Sequence, residues 1–220
     1  MNITQNIFLY KNIIDQWNSR HQVNLKNKTI INLFEEQVEK TPDKTLLTYF
    51  NEKLSYNEIN IKANQLARYI KRIYKKCTHK ELTSNDSIAI SCPKSDNLVV
   101  SVLGVMKAGG AFVYIDPKLS HETINHILTD CKSSLILTDY DSNDIIEETL
   151  KRNSLLNKNL IVNMDSIMYG FEDDSNLNLS LSLLDRACTD YILRTNTLPE
   201  KVNISNQNII NLDRMNSFLK

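Results

Sequence analysis

Read from residue 29 onward, the chain alternates between two hydrophobic periods. Thr29 stands before "IINLFEEQVEK", where Ile30, Phe34 and Val38 recur at helical spacing with two glutamates near the positive end, and Pro42 closes the run. "TLLTYF" is a strand, a turn at Asn51-Glu52 follows, and "LSYNEINIKANQLARYIKRIY" is a long amphipathic helix. In that helix Ile59, Ala63, Leu66, Ile70 and Ile73 lie at alternating four- and three-residue steps. Ser55 and Glu58 have the spacing of a capping box, each satisfying a free amide of the first turn.

Short apolar runs of the buried-strand type then alternate with helices. "SIAISC" precedes a helix "DNLVVSVLGVMKA" opened by Ser95 and closed at Gly109-Gly110, where glycine suits the left-handed cap. "AFVYI" leads through Asp116-Pro117 to a helix starting at Ser120 and carrying Ile124, Ile127 and Leu128. "SLILT" is a further strand, a weaker helix lies around Ile145 to Leu150, and "LIVN" ends the series. Strand–helix alternation of this kind predicts an α/β fold, a mostly parallel sheet flanked by helices. Past Met164 the pattern fades into the acidic "DSIMYGFEDDSNLNLSLSLLDRACTD", expected to be a long surface connection. From Tyr191 a strand, a turn, a second strand and a helix start are expected.

Composition narrows the function classes. A chain of 220 residues with 41% hydrophobic and 7% aromatic residues has the makings of a real core. Zero formal net charge argues against nucleic acid as a partner. The charge is unevenly placed: residues 1–110 hold 16 Lys/Arg against 10 Asp/Glu, and residues 111–220 hold 10 against 16. The basic excess centres on Lys62 to Lys80, a solvated face or else a docking patch. Four cysteines without Cys-x-x-Cys spacing imply no disulfide framework, and His121 and His126, five apart, miss the spacing of a helical metal pair. No metal site is expected. No signal-type or membrane-spanning apolar run occurs, so a cytoplasmic protein without membrane partners is expected.

Two motifs carry a family resemblance. "LSYNEINIKANQLARYI" resembles the first core motif of the adenylation domains of non-ribosomal peptide synthetases, Leu-Thr/Ser-Tyr-x-Glu-Leu with its Ala-Asn-Gln-Leu-Ala helix. "VLGVMKAGGAFVYIDP" resembles the second, Leu-Lys-Ala-Gly-Gly-Ala-Tyr-Val-Pro-Ile-Asp-Pro. The resemblance covers about Asn12 to Asp139, with Tyr114 in place of the family's proline and Leu119-Ser120 and Thr123 at its Tyr-Pro and Arg positions. "IIDQWNSRHQVN" is similar to the linker that precedes such a domain. The resemblance implies membership of the acyl-adenylate-forming superfamily of AMP-dependent synthetases and ligases, the fold being the first part of its large N-terminal domain. Four segments follow: a linker-like 1–28, an α/β subdomain 29–163, the acidic connection 164–190, and a phosphate-loop hairpin with helix start, 191–220.

The family's third motif, roughly Tyr-Thr-Ser-Gly-Ser/Thr-Thr-Gly-x-Pro-Lys-Gly-Val, wraps the phosphates of ATP. Aligned on Tyr191, Thr195, Pro199, Val202 and Asn211, this chain keeps the frame and lacks all three glycines. Asn196 replaces the serine, Glu200 occupies the lysine position with Lys201 displaced by one, and Asn206 stands where the family has histidine. Close approach of backbone to phosphate and positive φ both favour residues without Cβ. A bare Glu200 about 4 Å from a phosphate charge costs on the order of 4 kcal/mol at an effective dielectric near 20. A degenerate phosphate loop is expected, with Thr195, Asn196, Thr197 and Lys201 as its vestigial ATP-contacting residues and no catalytic residue. No cofactor is expected for this chain; ATP and Mg²⁺ belong to the intact family.

The resemblance therefore implies a truncated adenylation-domain fragment that does not activate amino acids alone. The alternatives are a non-catalytic module that docks on other peptide synthetase subunits or self-associates, with Lys62–Lys80 and the acidic segment as docking faces, and one half of a split enzyme. Lys107 reads as a helix-end charge rather than a ligand contact, Tyr56 and Tyr114 as packing residues, and Ser55 as a cap.

Overall fold

The computed structural model describes residues 28–49, 52–93, 95–154, 159–194 and 197–211. Helix α1 (Ile30–Lys40) starts at Thr29, whose hydroxyl and backbone amide exchange hydrogen bonds with Asn32 in a capping box. Its two glutamates lie beyond the first turn. Glu36 pairs with Lys28 at 2.5 Å, and Glu35 turns inward.

Strands β1 (Thr45–Tyr49) and β2 (Glu52–Ser55) form a separate antiparallel pair. Glu52, expected in a turn with Asn51, instead opens β2 and pairs with Tyr49. Ser55 and Glu58 close the predicted capping box of α2 (Tyr56–Thr78), with Ser55 donating its amide to Glu58 Oε2 at 2.7 Å. The predicted stripe Ile59, Ala63, Leu66, Ile70 and Ile73 is buried.

The main sheet has the order β6-β5-β3-β4-β7-β8. It comprises β3 (Ser87–Ser91), β4 (Ala111–Tyr114), β5 (Leu135–Thr138), β6 (Leu160–Asn163), β7 (Arg186–Ile192) and β8 (Glu200–Ser205). All pairings are parallel except β7 with β8. Between them run α3 (Asp96–Lys107), α4 (His121–Cys131) and α5 (Tyr140–Arg152), capped by Ser95, Ser120 and Asp139. The last is the helix expected only around Ile145 to Leu150. Asp139, accepting from the Ser142 amide at 2.9 Å, caps it so that it starts at Tyr140, ahead of its apolar periodicity.

Alternation along the strands sends successive side chains to opposite faces. Ile88, Ile90, Phe112, Leu135 and Leu137 join the cluster packed with α1, α2 and α3. Ala89, Val113 and Ile136 join Ile124, Ile127, Leu128, Ile146 and Leu150 of α4 and α5. Both faces are thus covered, the arrangement parallel strands need. Helices α2 and α3 approach closely at Gly104, where a Cβ would lie 2.8 Å from Leu66 Cδ2. Gly109, at φ 90°, turns the chain from α3 toward β4.

The acidic connection lies on the surface and is held there along its length. Residues 164–185 form a strap laid over α2 and α3, and residues 186–190 belong to β7, where Ala187, Cys188 and Thr189 are buried. Backbone without a ladder needs other partners, and α2 supplies them. Asn64 donates to the Asp174 carbonyl at 2.7 Å, Gln65 to that of Gly170 at 2.9 Å, and Arg68 to those of Asp173 and Ser175 at 3.0 and 2.6 Å. Arg72 pairs with Glu172 at 2.8 Å. Asn176 Oδ1 alone accepts from Asn60 at 3.1 Å, Asn64 at 3.0 Å and Lys107 at 3.4 Å. Leu177, Leu181 and Leu183 pack beneath onto the core. The two segments proposed to dock one chain to another meet, at Arg68 and Arg72, within one chain.

Among the described residues no helix is long and apolar enough to cross a membrane. The linker-like motif with Trp17 and Asn18 lies outside the described residues.

Candidate functional site

The candidate site is the hairpin of β7 and β8. Burial of Ala187 to Thr189 anchors β7 in the sheet, and Tyr191 and Ile192 pair with Lys201 and Glu200 across the hairpin. Pro199, which carries no amide hydrogen, immediately precedes β8. The strand–turn–strand–helix order matches the sequence expectation, with residues 206–211 opening the helix. Ser205 caps that helix, accepting from the Asn208 amide at 3.2 Å and donating its own amide to Asn208 Oδ1 at 3.0 Å.

Of the four expected phosphate-contacting residues, Thr195 and Asn196 lie outside the described residues. Thr197 is exposed, next to Leu198, which is 71% exposed. Lys201 is drawn away to α4: its ammonium lies 3.3 Å from Asp130 Oδ2 and donates to the Asp130 carbonyl at 3.1 Å. Tyr191 donates its hydroxyl to the same carboxylate at 2.6 Å. The Tyr191 hydrogen bond, reinforced by Lys201, holds the Asp130 carboxyl below its usual range. Burial, and then the bond to Asp130, pushes the Tyr191 phenol up. Sequence reasoning missed this cluster because Asp130 is 61 residues from Tyr191 and belongs to no motif.

Glu200 does not stand bare. Its carboxylate lies 3.1 Å from Arg194, two residues past the end of β7, both side chains well exposed. The repulsion expected of an isolated Glu200 is thereby reduced, since Arg194 offsets its charge in high dielectric. The stronger obstacle is shape and commitment. Residues 197–200 all carry Cβ atoms, and none of 197–201 takes the positive φ that a glycine loop uses to turn its amides inward. The lysine that remains is already paired.

Lys107 is more than a helix-end charge. Its ammonium is 2% exposed as a residue, bonded to Glu35 of α1, and 5.8 Å from the centroid of the Phe34 ring. Desolvation lowers its pKa, opposed by Glu35. The pair floors a cleft of about 240 Å³ walled by Ile31, Leu177, Leu179 and Leu181. Tyr56 is buried and tilted 33° against Phe34, a packing residue as expected, and Tyr114 packs on the same core.

Among the described residues no group of three or more His, Cys, Asp or Glu is arranged to hold a metal ion. His121 Nδ1 is 2.6 Å from Thr149 Oγ1 on the neighbouring helix. No disulfide joins the four cysteines, three of which are buried, and burial pushes the Cys131 thiol up to about 11.

The family model described as AMP-binding enzyme matches residues 34–190. The chain is similar to gramicidin S synthase 2 of Brevibacillus brevis, 34% identical over 186 residues, covering 84% of this chain and 4% of that protein. It is also similar to surfactin synthase subunit 1 of Bacillus subtilis (strain 168), 32% identical over 206 residues, covering 94% of this chain and 5% of that one. The chain thus spans about one twentieth of the length of these relatives. Among solved structures, the non-ribosomal peptide synthetase FmoA3 superimposes with a TM-score of 0.72 at 18% identity, covering 96% of this chain and 21% of that one. VinN in complex with 3-methylaspartate superimposes with a TM-score of 0.73 at 14% identity, covering 87% and 51%. At such identities the superpositions establish the α/β fold, which agrees with the sequence expectation.

Proposed function

As the chain belongs to the AMP-binding enzyme family, we propose that it supplies an adenylation-domain fold of the peptide-synthetase type without itself activating amino acids with ATP. The observation that carries this reading is Lys201, the one lysine near the family's phosphate-binding position, engaged by the carboxylate and the carbonyl of Asp130. Adenylate formation needs a carboxylate, ATP and Mg²⁺ held in line with free cationic groups on the phosphates. A lysine must leave Asp130 to serve there, and the described tip of the hairpin offers no glycine in compensation. Cys92 and Cys131, buried and outside any disulfide, support a reducing, cytoplasmic setting.

The test is ATP–pyrophosphate exchange with the purified chain, each of the twenty amino acids and common aryl acids. Exchange at background level is expected throughout, and robust exchange with any of them overturns the reading. Exchange that appears only on mixing with a second chain carrying later adenylation motifs would identify a split enzyme instead.

A second reading rests on β8. It ends the strand order, and its outer edge pairs with no described strand. Unpaired edges recruit further strands, so β8 suits a non-catalytic module that self-associates or docks on a peptide synthetase subunit. Light scattering behind size-exclusion chromatography, with pull-downs, decides: a clean monomer without partners removes this reading.

A further inference from the structure

A small cavity of about 10 Å³ lies where the end of the strap, the Gly109-Gly110 turn, the start of β7 and the helix opening at residue 206 converge; Ser84, Asp185, Arg186 and Asn206 line it. Two of these residues carry a buried polar atom without a partner among the described residues, Arg186 Nη2 and Asn206 Oδ1. Their remaining polar atoms are committed. Arg186 Nε donates to the Ser84 carbonyl at 3.0 Å and Nη1 to Thr189 Oγ1 at 3.2 Å. Asn206 Nδ2 donates to the carbonyls of Ser182 and Asp185 at 3.2 and 3.3 Å. Those two carbonyls fix the amide's orientation, because only a nitrogen bonds both, and so Oδ1 is the atom left over. Asn206 is 4% exposed, so bulk solvent does not satisfy it.

We propose that this cavity is a built site for a single water molecule. Its volume is that of about one water-sized sphere. The chemistry narrows the choice further. The occupant must accept a hydrogen bond from a guanidinium and donate one to an amide oxygen. A simple anion cannot donate to Asn206 Oδ1, and a cation cannot accept from Arg186 Nη2. Water does both. Asp185, whose carboxylate accepts from Ser84 Oγ at 3.2 Å and the Ser182 amide at 2.7 Å, belongs to the same lining.

The water ties the strap to the base of the hairpin. Asp185 ends the strap, Arg186 opens β7, and Asn206 opens the following helix, its amide donating to the Asp185 carbonyl at 3.0 Å. Asn206, at the position where resemblance leads one to expect histidine, acts here as a positioning residue for the hairpin base. This holds whether or not the hairpin meets nucleotide.

A crystal structure of the full chain at atomic resolution, with water-to-protein NOE measurements on the same chain in solution, tests the site. The expected result is one ordered peak within about 3 Å of both Arg186 Nη2 and Asn206 Oδ1, with cross-peaks from a long-lived water to the Asn206 side-chain amide. In Ala187→Val, which adds methyl groups to the cavity wall, the peak and cross-peaks should vanish and Tm should fall. An empty cavity in the wild-type chain overturns the proposal, as does a guanidinium rotated to bond Asn206 directly. The wild-type result decides even if the variant does not fold.

Discussion

Lys107, at the last turn of α3, places its ammonium against the carboxylate of Glu35 on α1, and the two partners differ in burial: the lysine side chain is 1% exposed, the glutamate 17%. Leaving the deeper charge alone costs more than leaving the shallower one. Glu35→Gln should therefore destabilise the fold by about 3 kcal/mol, the lower end for a broken buried pair. Lys107→Met, which leaves Glu35 beside a cleft that admits water, should cost clearly less. Chemical denaturation of the two variants checks the order, and equal losses would refute it.

Gly104 lets α2 and α3 touch. A methyl group there meets Leu66 Cδ2 at 2.8 Å and Cγ at 3.0 Å. Gly104→Ala should cost about 1–3 kcal/mol by overpacking, despite alanine's better helix propensity. Adding Leu66→Ala should relieve the clash, so the double variant should be more stable than the sum of the singles implies. Thermal unfolding of all three variants makes the cycle.

Asn176 holds the strap through one oxygen that accepts three donors. Asn176→Ala strips Asn60, Asn64 and Lys107 of that acceptor, an expected loss of about 1–3 kcal/mol. The effect should be local as well as global. Hydrogen exchange should accelerate over residues 164–185 and leave β3, β4 and β5 protected; uniform acceleration would count against the strap as a separately docked unit.

Asp130 links α4 to the hairpin, and its folded pKa lies below the ordinary 3.8, first through Tyr191 and then Lys201. A depressed carboxyl contributes stability above its unfolded pKa and loses it as pH falls through the folded value. The contribution should thus be complete at neutral pH, begin to fall near the ordinary 3.8 and be gone once pH passes below the folded value. Asp130→Asn should remove this acid-sensitive part, so the wild-type and variant stability curves should converge at low pH. Parallel curves from pH 7 to pH 2 would contradict it.

Local signals carried the frame of this protein. Capping residues Thr29, Ser55, Ser95 and Ser120 mark helix starts because each satisfies the amide three residues on. The buried stripe of α2 and the alternating strand faces follow from helix and strand geometry alone, and with them came the covered parallel sheet. The absence of glycine before β8 was likewise legible, since it depends on residue type and not on neighbours.

Tertiary structure decided the partners. Nothing periodic connects Glu35 with Lys107, Asp130 with Lys201, or Arg68 and Arg72 with the strap; each pair meets only when distant elements pack. The acidic stretch read as open surface because its backbone has no ladder of its own. Its carbonyls are satisfied instead by side chains of a helix about a hundred residues earlier. Periodicity reports what a residue's own element buries, whereas a charge finds its counter-charge through space.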